Sequence, residues 1–123
     1  MRFNSERAIF AQIADLLEED VLSGKLAEGD RLPSARELGA SLEVNPNTAA
    51  RALQALADSG VARSERGMGY FVAQGGAELA RAERRKRFFE DELPRFFRLM
   101  DEIGATPEEI LERHSLYREK KGA

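Results

Sequence analysis

The sequence predicts a mainly α-helical fold with one small β-hairpin: three helices closed by the hairpin, then a helical tail. Three observations predict it. Apolar residues recur at three- and four-residue spacing in several separate stretches, as on helices with one buried face. Helix-starting residues such as Ser34, Asn45 and Thr106 precede these stretches, and glycines follow them. One segment breaks the pattern, because residues 61–64 and 70–73 read as short strands around the loop Glu65-Arg66-Gly67-Met68-Gly69.

The first helix is expected over residues 7–22, where Ile9, Ile13, Leu16, Leu17 and Val21 form one stripe and Gly24 follows as the stop. Asp15, Glu18, Glu19 and Asp20 crowd its outer face, which should point away from any polyanion. A turn-rich connection over 26–33 leads to a short second helix. Ser34 is its N-cap and Glu37 its third position, the pattern of a capping box, with Leu38 and Leu42 facing inward. Asn45 caps the third helix, and Pro46 takes the first helical position, where a missing N–H costs nothing. This helix should reach about Asp58 and stop at Gly60. Ala49, Ala52, Leu53 and Leu56 fall on one side. Asn47, Arg51, Gln54 and Asp58 fall on the opposite side, flanked by Thr48 and Ala50.

After Gln74-Gly75-Gly76 a charged helical pattern begins, which divides the chain into residues 1–73 and a tail, 74–123. A long helix is expected over 78–103. Phe89, Leu93, Phe96, Met100 and Ile103 repeat along it as at a coiled-coil seam, and Phe88 and Phe97 widen the stripe. Pro94 should kink this helix or remove a hydrogen bond. Thr106 to Glu109 form a second capping box, opening a last helix to about Tyr117 with Ile110, Leu111, His114 and Tyr117 as its apolar set. Lys120 and Lys121 read as a frayed end.

Composition excludes several functions. The chain has 123 residues, no Cys and one His, so disulfides, thiolate metal sites, a Cys nucleophile and a multi-His metal cage are ruled out. No carboxylate pair lies in a glycine-framed pocket, so no catalytic activity and no cofactor are expected. His114 is expected to be a partly buried core or interface residue rather than a metal ligand. No apolar run is long enough for a membrane span, and Met1-Arg2-Phe3-Asn4 lacks the apolar stretch of a secretory signal, so a cytoplasmic protein is expected. The net charge of −3 lies wholly in residues 1–73. Where charge sits therefore matters more than its sum.

A capped short helix, a tight turn at Leu42-Glu43-Val44 and a second capped helix make a helix-turn-helix, and the hairpin completes a winged one. The second helix of that motif enters the DNA major groove, where its N-terminal residues meet base edges. Asn47 can offer a bidentate pair to adenine, Arg51 can reach guanine or phosphate, and Thr48 and Ala50 can touch a thymine methyl. The loop Arg66-Gly67-Met68-Gly69 carries one cation at a tip with little bulk, which suits a wing laid on phosphates or a minor groove.

Residues 29–38 (Gly-Asp-Arg-Leu-Pro-Ser-Ala-Arg-Glu-Leu), 44–53 (Val-Asn-Pro-Asn-Thr-Ala-Ala-Arg-Ala-Leu), Gly60 and 66–72 (Arg-Gly-Met-Gly-Tyr-Phe-Val) resemble the DNA-binding domain of GntR-type bacterial transcription regulators. Residues 9–13 look like that domain's start. The short helical tail resembles the YtrA-like subfamily, whose members are dimeric repressors. The resemblance implies DNA contacts from Ser34 and Arg36, from Asn45, Asn47, Thr48 and Arg51, and from Arg66 and Gly67 in the wing. Ala50 departs from the Arg that many members carry, so no operator sequence is carried over.

Four of the seven Phe lie at 88, 89, 96 and 97. They could pack on the first helix or form a twofold homodimer. A two-helix tail cannot bury that much aromatic surface alone, which favours a dimer through Phe89, Leu93, Phe96 and Met100. Two recognition helices would then reach half-sites about one DNA turn, ~34 Å, apart. The cluster Arg81, Arg84, Arg85, Lys86 and Arg87 could add phosphate contacts near the linker, but such a run is more often a solvated face, with Glu78, Glu83 and Glu90 as partners. The expected function is a dimeric repressor on a palindromic operator in double-stranded DNA, with an unidentified small-molecule effector allowed. The alternative is a winged module that binds protein instead, which the negative charge favours.

Overall fold

The computed structural model describes residues 7–122. The reading of Met1–Asn4 lies outside the described residues. Among the described residues, six α-helices and one hairpin follow the order α1 (Ile9–Leu22), α2 (Ala35–Leu42), α3 (Pro46–Asp58), β1 (Ala62–Glu65), β2 (Gly69–Val72), α4 (Gly76–Arg87), α5 (Leu93–Ile103) and α6 (Pro107–Gly122). The chain forms two compact units that divide between Arg84 and Arg85. The packing division therefore falls inside α4 and not at Gln74. Ala80 is fully buried in the core of the first unit, which draws the start of α4 into it.

In the first unit, α1 buries Ile13, Ala14, Leu17 and Val21. Ile9, placed in that stripe by spacing, is 45% exposed, because it sits at the helix start beyond the core. The sequence pattern of α3 holds throughout: Ala49, Ala52, Leu53 and Leu56 are all buried. Burial of each leucine contributes about 2 kcal/mol. Leu38 of α2, Leu32, Val61 and Val72 complete the same core.

The strands sit one residue from their expected places, and Ala62 pairs with Val72, Arg63 with Phe71, Ser64 with Tyr70 and Glu65 with Gly69. The connection before α2 is also more ordered than its turn-rich sequence suggests. Arg31 bridges Phe71 in antiparallel fashion, with Leu32 N–H donating to Tyr70 O at 2.8 Å and Val72 N–H to Asp30 O at 2.9 Å. It gives the hairpin a short third edge.

In the second unit, the helix expected over 78–103 is interrupted. A π-helical turn over Phe88–Glu92 precedes α5, and Pro94 lies in the first turn of α5. Proline has no N–H, and its ring crowds the carbonyl four residues back, so the wider turn lies where an α-turn would clash. Gly104 ends α5 at φ 72°. The Thr106–Glu109 capping box forms: Thr106 N–H donates to Glu109 Oε1 at 2.9 Å and Glu109 N–H to Thr106 Oγ1 at 3.2 Å. α6 continues to Gly122, so Lys120 and Lys121 are helical; there they complement the negative end of the helix dipole.

Candidate nucleic-acid interface

The helix-turn-helix is built by local chemistry. Glu37 N–H donates to Ser34 Oγ at 3.1 Å and Ser34 N–H donates to Glu37 Oε1 at 3.0 Å, which starts α2. The Ser34 backbone bond, then the Ser34 side chain, hold the Glu37 carboxyl below the usual carboxylate range. Glu43 turns the chain at φ 56° in the left-handed region. Gly39 makes the turn tight, since a Cβ there would lie 3.0 Å from Val44 O and 3.3 Å from Pro46 Cγ. Asn45 Oδ1 accepts the Asn47 N–H at 2.7 Å and starts α3.

The outward side of α3 carries Asn47, Ala50, Arg51, Gln54 and Asp58, all exposed, with Thr48 half-buried at its edge. Residues 46–57 contain no acid, and Arg51 is their one charge. Two of these side chains are held by neighbours that sequence reasoning missed. The Arg51 guanidinium lies over the Phe10 ring, 4.1 Å from its centroid. Gln54 Oε1 accepts the Tyr70 hydroxyl at 3.1 Å, while its amide donates to Asp58 at 2.9 Å. Phe10 and Tyr70 are far from α3 in sequence, and no local spacing marks either pairing.

The remaining expected residues belong to α2 and its cap, the α3 cap and the hairpin tip. Ser34 is half-buried and its oxygen is used in the cap, so it can give a phosphate only its hydroxyl proton, in competition with Glu37. Asn45 likewise spends Oδ1 on the cap and keeps its amide group as a donor. Arg36 is exposed, as are Arg66 and Gly67 at the hairpin tip. Gly67 and Gly69 have φ of 75° and 107°, which the turn requires and other residues resist. The one acid of the hairpin, Glu65, is paired with Arg63. Arg31, not singled out from sequence, is also exposed here; a Cβ on Gly69 would lie 3.3 Å from its Nε.

Asp15 and Glu18 of α1 are also partnered. Arg84 Nε donates to Glu18 Oε2 at 3.2 Å and its Nη2 to Asp15 O at 2.8 Å, and Arg7 pairs with Asp15. Arg84 is thus part of an ion-pair cluster and not of a simply solvated face.

The tail residues of the expected partner seam differ among themselves. Phe89 and Phe96 are 48% and 42% exposed and Leu93 is half-buried, but Met100 is only 8% exposed in the single chain. Met100 therefore has little surface left to offer a partner. Phe97, Leu99 and Ile103, at 53%, 50% and 69%, carry more. His114 is exposed rather than partly buried; it lies beside Tyr117 with ring centroids 6.4 Å apart.

Comparison with known proteins adds an independent observation. The model of bacterial regulatory proteins of the gntR family matches residues 10–72. The chain belongs to the GntR family. This GntR regulator is 36% identical over 111 residues to the uncharacterized HTH-type transcriptional regulator YhcF of Bacillus subtilis (strain 168), covering 90% of both chains. It is 36% identical over 70 residues to the HTH-type transcriptional repressor YtrA of the same organism, covering 57% of this chain and 54% of that one. Its structure matches a GntR family transcriptional regulator from Listeria monocytogenes with a TM-score of 0.73 at 28% identity, over 92% and 97% of the two chains. The GntR chain is accordingly a transcription regulator of winged-helix fold, not an enzyme. No described helix is long and apolar enough to cross a membrane.

Proposed function

We propose that this GntR regulator binds double-stranded DNA as a homodimer and represses by occlusion, covering a palindromic operator that overlaps a promoter. The observation that carries the reading is the outward face of α3: exposed, free of acids over residues 46–57, and headed by Asn47 and Arg51. Asn47, Thr48 and Arg51 read base edges. Ser34, Arg36 and Asn45 fix the register on phosphates, and Arg66 and Gly67 lay the wing along the backbone. Pairing of Glu18 with Arg84 and of Asp15 with Arg7 supports the reading despite the net charge of −3.

Exposed Phe89, Phe96 and Phe97 support dimerisation through the tail, since apolar patches of this kind mark interfaces. A dimer also doubles the phosphate contacts. The repressor name of the related YtrA supports the sign of regulation. The protein acts in the cytoplasm, where the operator is. No cofactor is needed; a small-molecule effector is allowed but no residue is assigned to it.

The test is the double substitution Asn47→Ala/Arg51→Ala. Binding to a duplex selected from a random pool by the wild-type chain should fall at least about 30-fold, two lost base contacts at ~1–3 kcal/mol each. Oligomeric state should not change. Unchanged duplex affinity would instead favour a protein-binding winged module.

A further inference from the structure

Arg51 is the sole charged side chain among residues 46–57, and it does not stand alone. Its guanidinium carbon lies 4.1 Å from the centroid of the Phe10 ring. That ring comes from the first turn of α1, is half-buried and packs against the hydrophobic core. Ala8, Ile9 and Phe10 face Asn47, Thr48 and Arg51 across one shallow surface cavity. A long, exposed arginine is thus laid on a support that the core itself holds.

Stacking on a ring covers one face of a guanidinium and leaves its N–H edge open for in-plane bonds. That edge matches the O6 and N7 pair of guanine in the major groove. An unsupported arginine would choose among neighbouring phosphates more freely. We propose that Phe10 is a positioning residue for DNA reading, acting through Arg51: its ring pre-orders the guanidinium for bidentate contact with a guanine. This rests on the reading above that Arg51 touches DNA.

The experiment is a double-mutant cycle between Phe10→Leu and Arg51→Ala, using the duplex selected from a random pool by the wild-type chain. Phe10→Leu should weaken that duplex about three- to fivefold, the size of an exposed cation–π contact. In the Arg51→Ala background the same substitution should have no further effect. Phe10→Trp should keep wild-type affinity, since tryptophan offers a better face. Base preference should relax at the same operator position in Phe10→Leu and Arg51→Ala.

Equal weakening by Phe10→Leu with and without Arg51 would overturn the positioning role, since a packing defect acts in both backgrounds. Failure of Phe10→Trp to bind like wild type while its melting temperature is unchanged would do the same. If Arg51→Ala alone kept full affinity, the DNA reading of Arg51 and the role of Phe10 would both fall; loss there without coupling removes only the second.

Discussion

The Tyr70 hydroxyl donates a 3.1 Å hydrogen bond to Gln54 Oε1 and so joins the hairpin to the recognition helix. Gln54 passes the connection to Asp58 at 2.9 Å. Gln54 thereby serves to place the wing beside α3, although spacing alone puts it among the outward residues. Tyr70→Phe should cost about 0.5–1 kcal/mol in urea unfolding, the net value of one such bond. Duplex affinity should fall as well, because the wing would lose its fixed position. Wild-type affinity in Tyr70→Phe would mean that the hairpin holds its place without this bond.

Gly76 begins α4 against the core, where a Cβ would stand 2.3 Å from the Val61 carbonyl oxygen. Backbone cannot yield as a flexible side chain does. Gly76→Ala should therefore destabilise the protein by about 2–3 kcal/mol. At Gly75 nothing lies within 4 Å, but φ is 75°. Gly75→Ala should cost less, about 1 kcal/mol, from strain alone. Chemical denaturation of the two variants side by side gives the comparison.

Arg84 binds the Asp15 carbonyl and the Glu18 carboxylate, and is itself 23% exposed against 12% for Glu18. Partial burial makes this pair stronger than a typical surface ion pair, though solvent still screens it. Arg84→Met keeps the apolar stem and removes the charge. It should lower stability by about 1 kcal/mol. The difference from wild type should shrink at high salt, which a melting series in sodium chloride would measure.

Two capping carboxyls give a dependence on pH. Glu37 and Glu109 are both held below the ordinary value of 4.5, by bonds from the Ser34 and Thr106 backbones first and their hydroxyls second. A carboxyl with a lowered folded pKa stabilises fully above its unfolded value. That contribution is lost as pH falls through the folded value. Wild type should thus be more stable than Glu37→Gln/Glu109→Gln near neutral pH, and the gap in melting temperature should close below pH 4.5. A gap independent of pH would show that charge is not what the caps contribute.

Phe96 is 42% exposed and Phe97 53%. If the tail dimerises as proposed, Phe96→Glu should convert the dimer to a monomer in light scattering and reduce duplex affinity at low protein concentration, while Met100→Ala should act mainly on stability. Retention of the dimer in Phe96→Glu would move the interface elsewhere.

Much of the first unit is legible from neighbouring residues. The Ser34–Glu37 box, the Asn45 cap with Pro46 behind it, and the buried side of α3 all appear where spacing puts them. The strands are legible only to within one residue, because four-residue strands carry too few alternations to set their register. The π-helical turn before Pro94 is half legible: the proline announces an interruption but not its form. Met100 shows the limit of a seam pattern. Heptad spacing marks which residues are apolar, not which of them the chain has already covered.

The caps that start α2 and α3, the helix-turn-helix order and the absence of acids over residues 46–57 were set by sequence alone, since each depends on groups close along the chain. Tertiary structure decided which distant side chains meet: the Phe10 ring under Arg51 and the Tyr70 hydroxyl on Gln54 at α3, and Arg84 on Asp15 and Glu18 of α1. These pairings depend on how whole elements pack, and side chains separated by tens of residues leave no periodic trace along the chain.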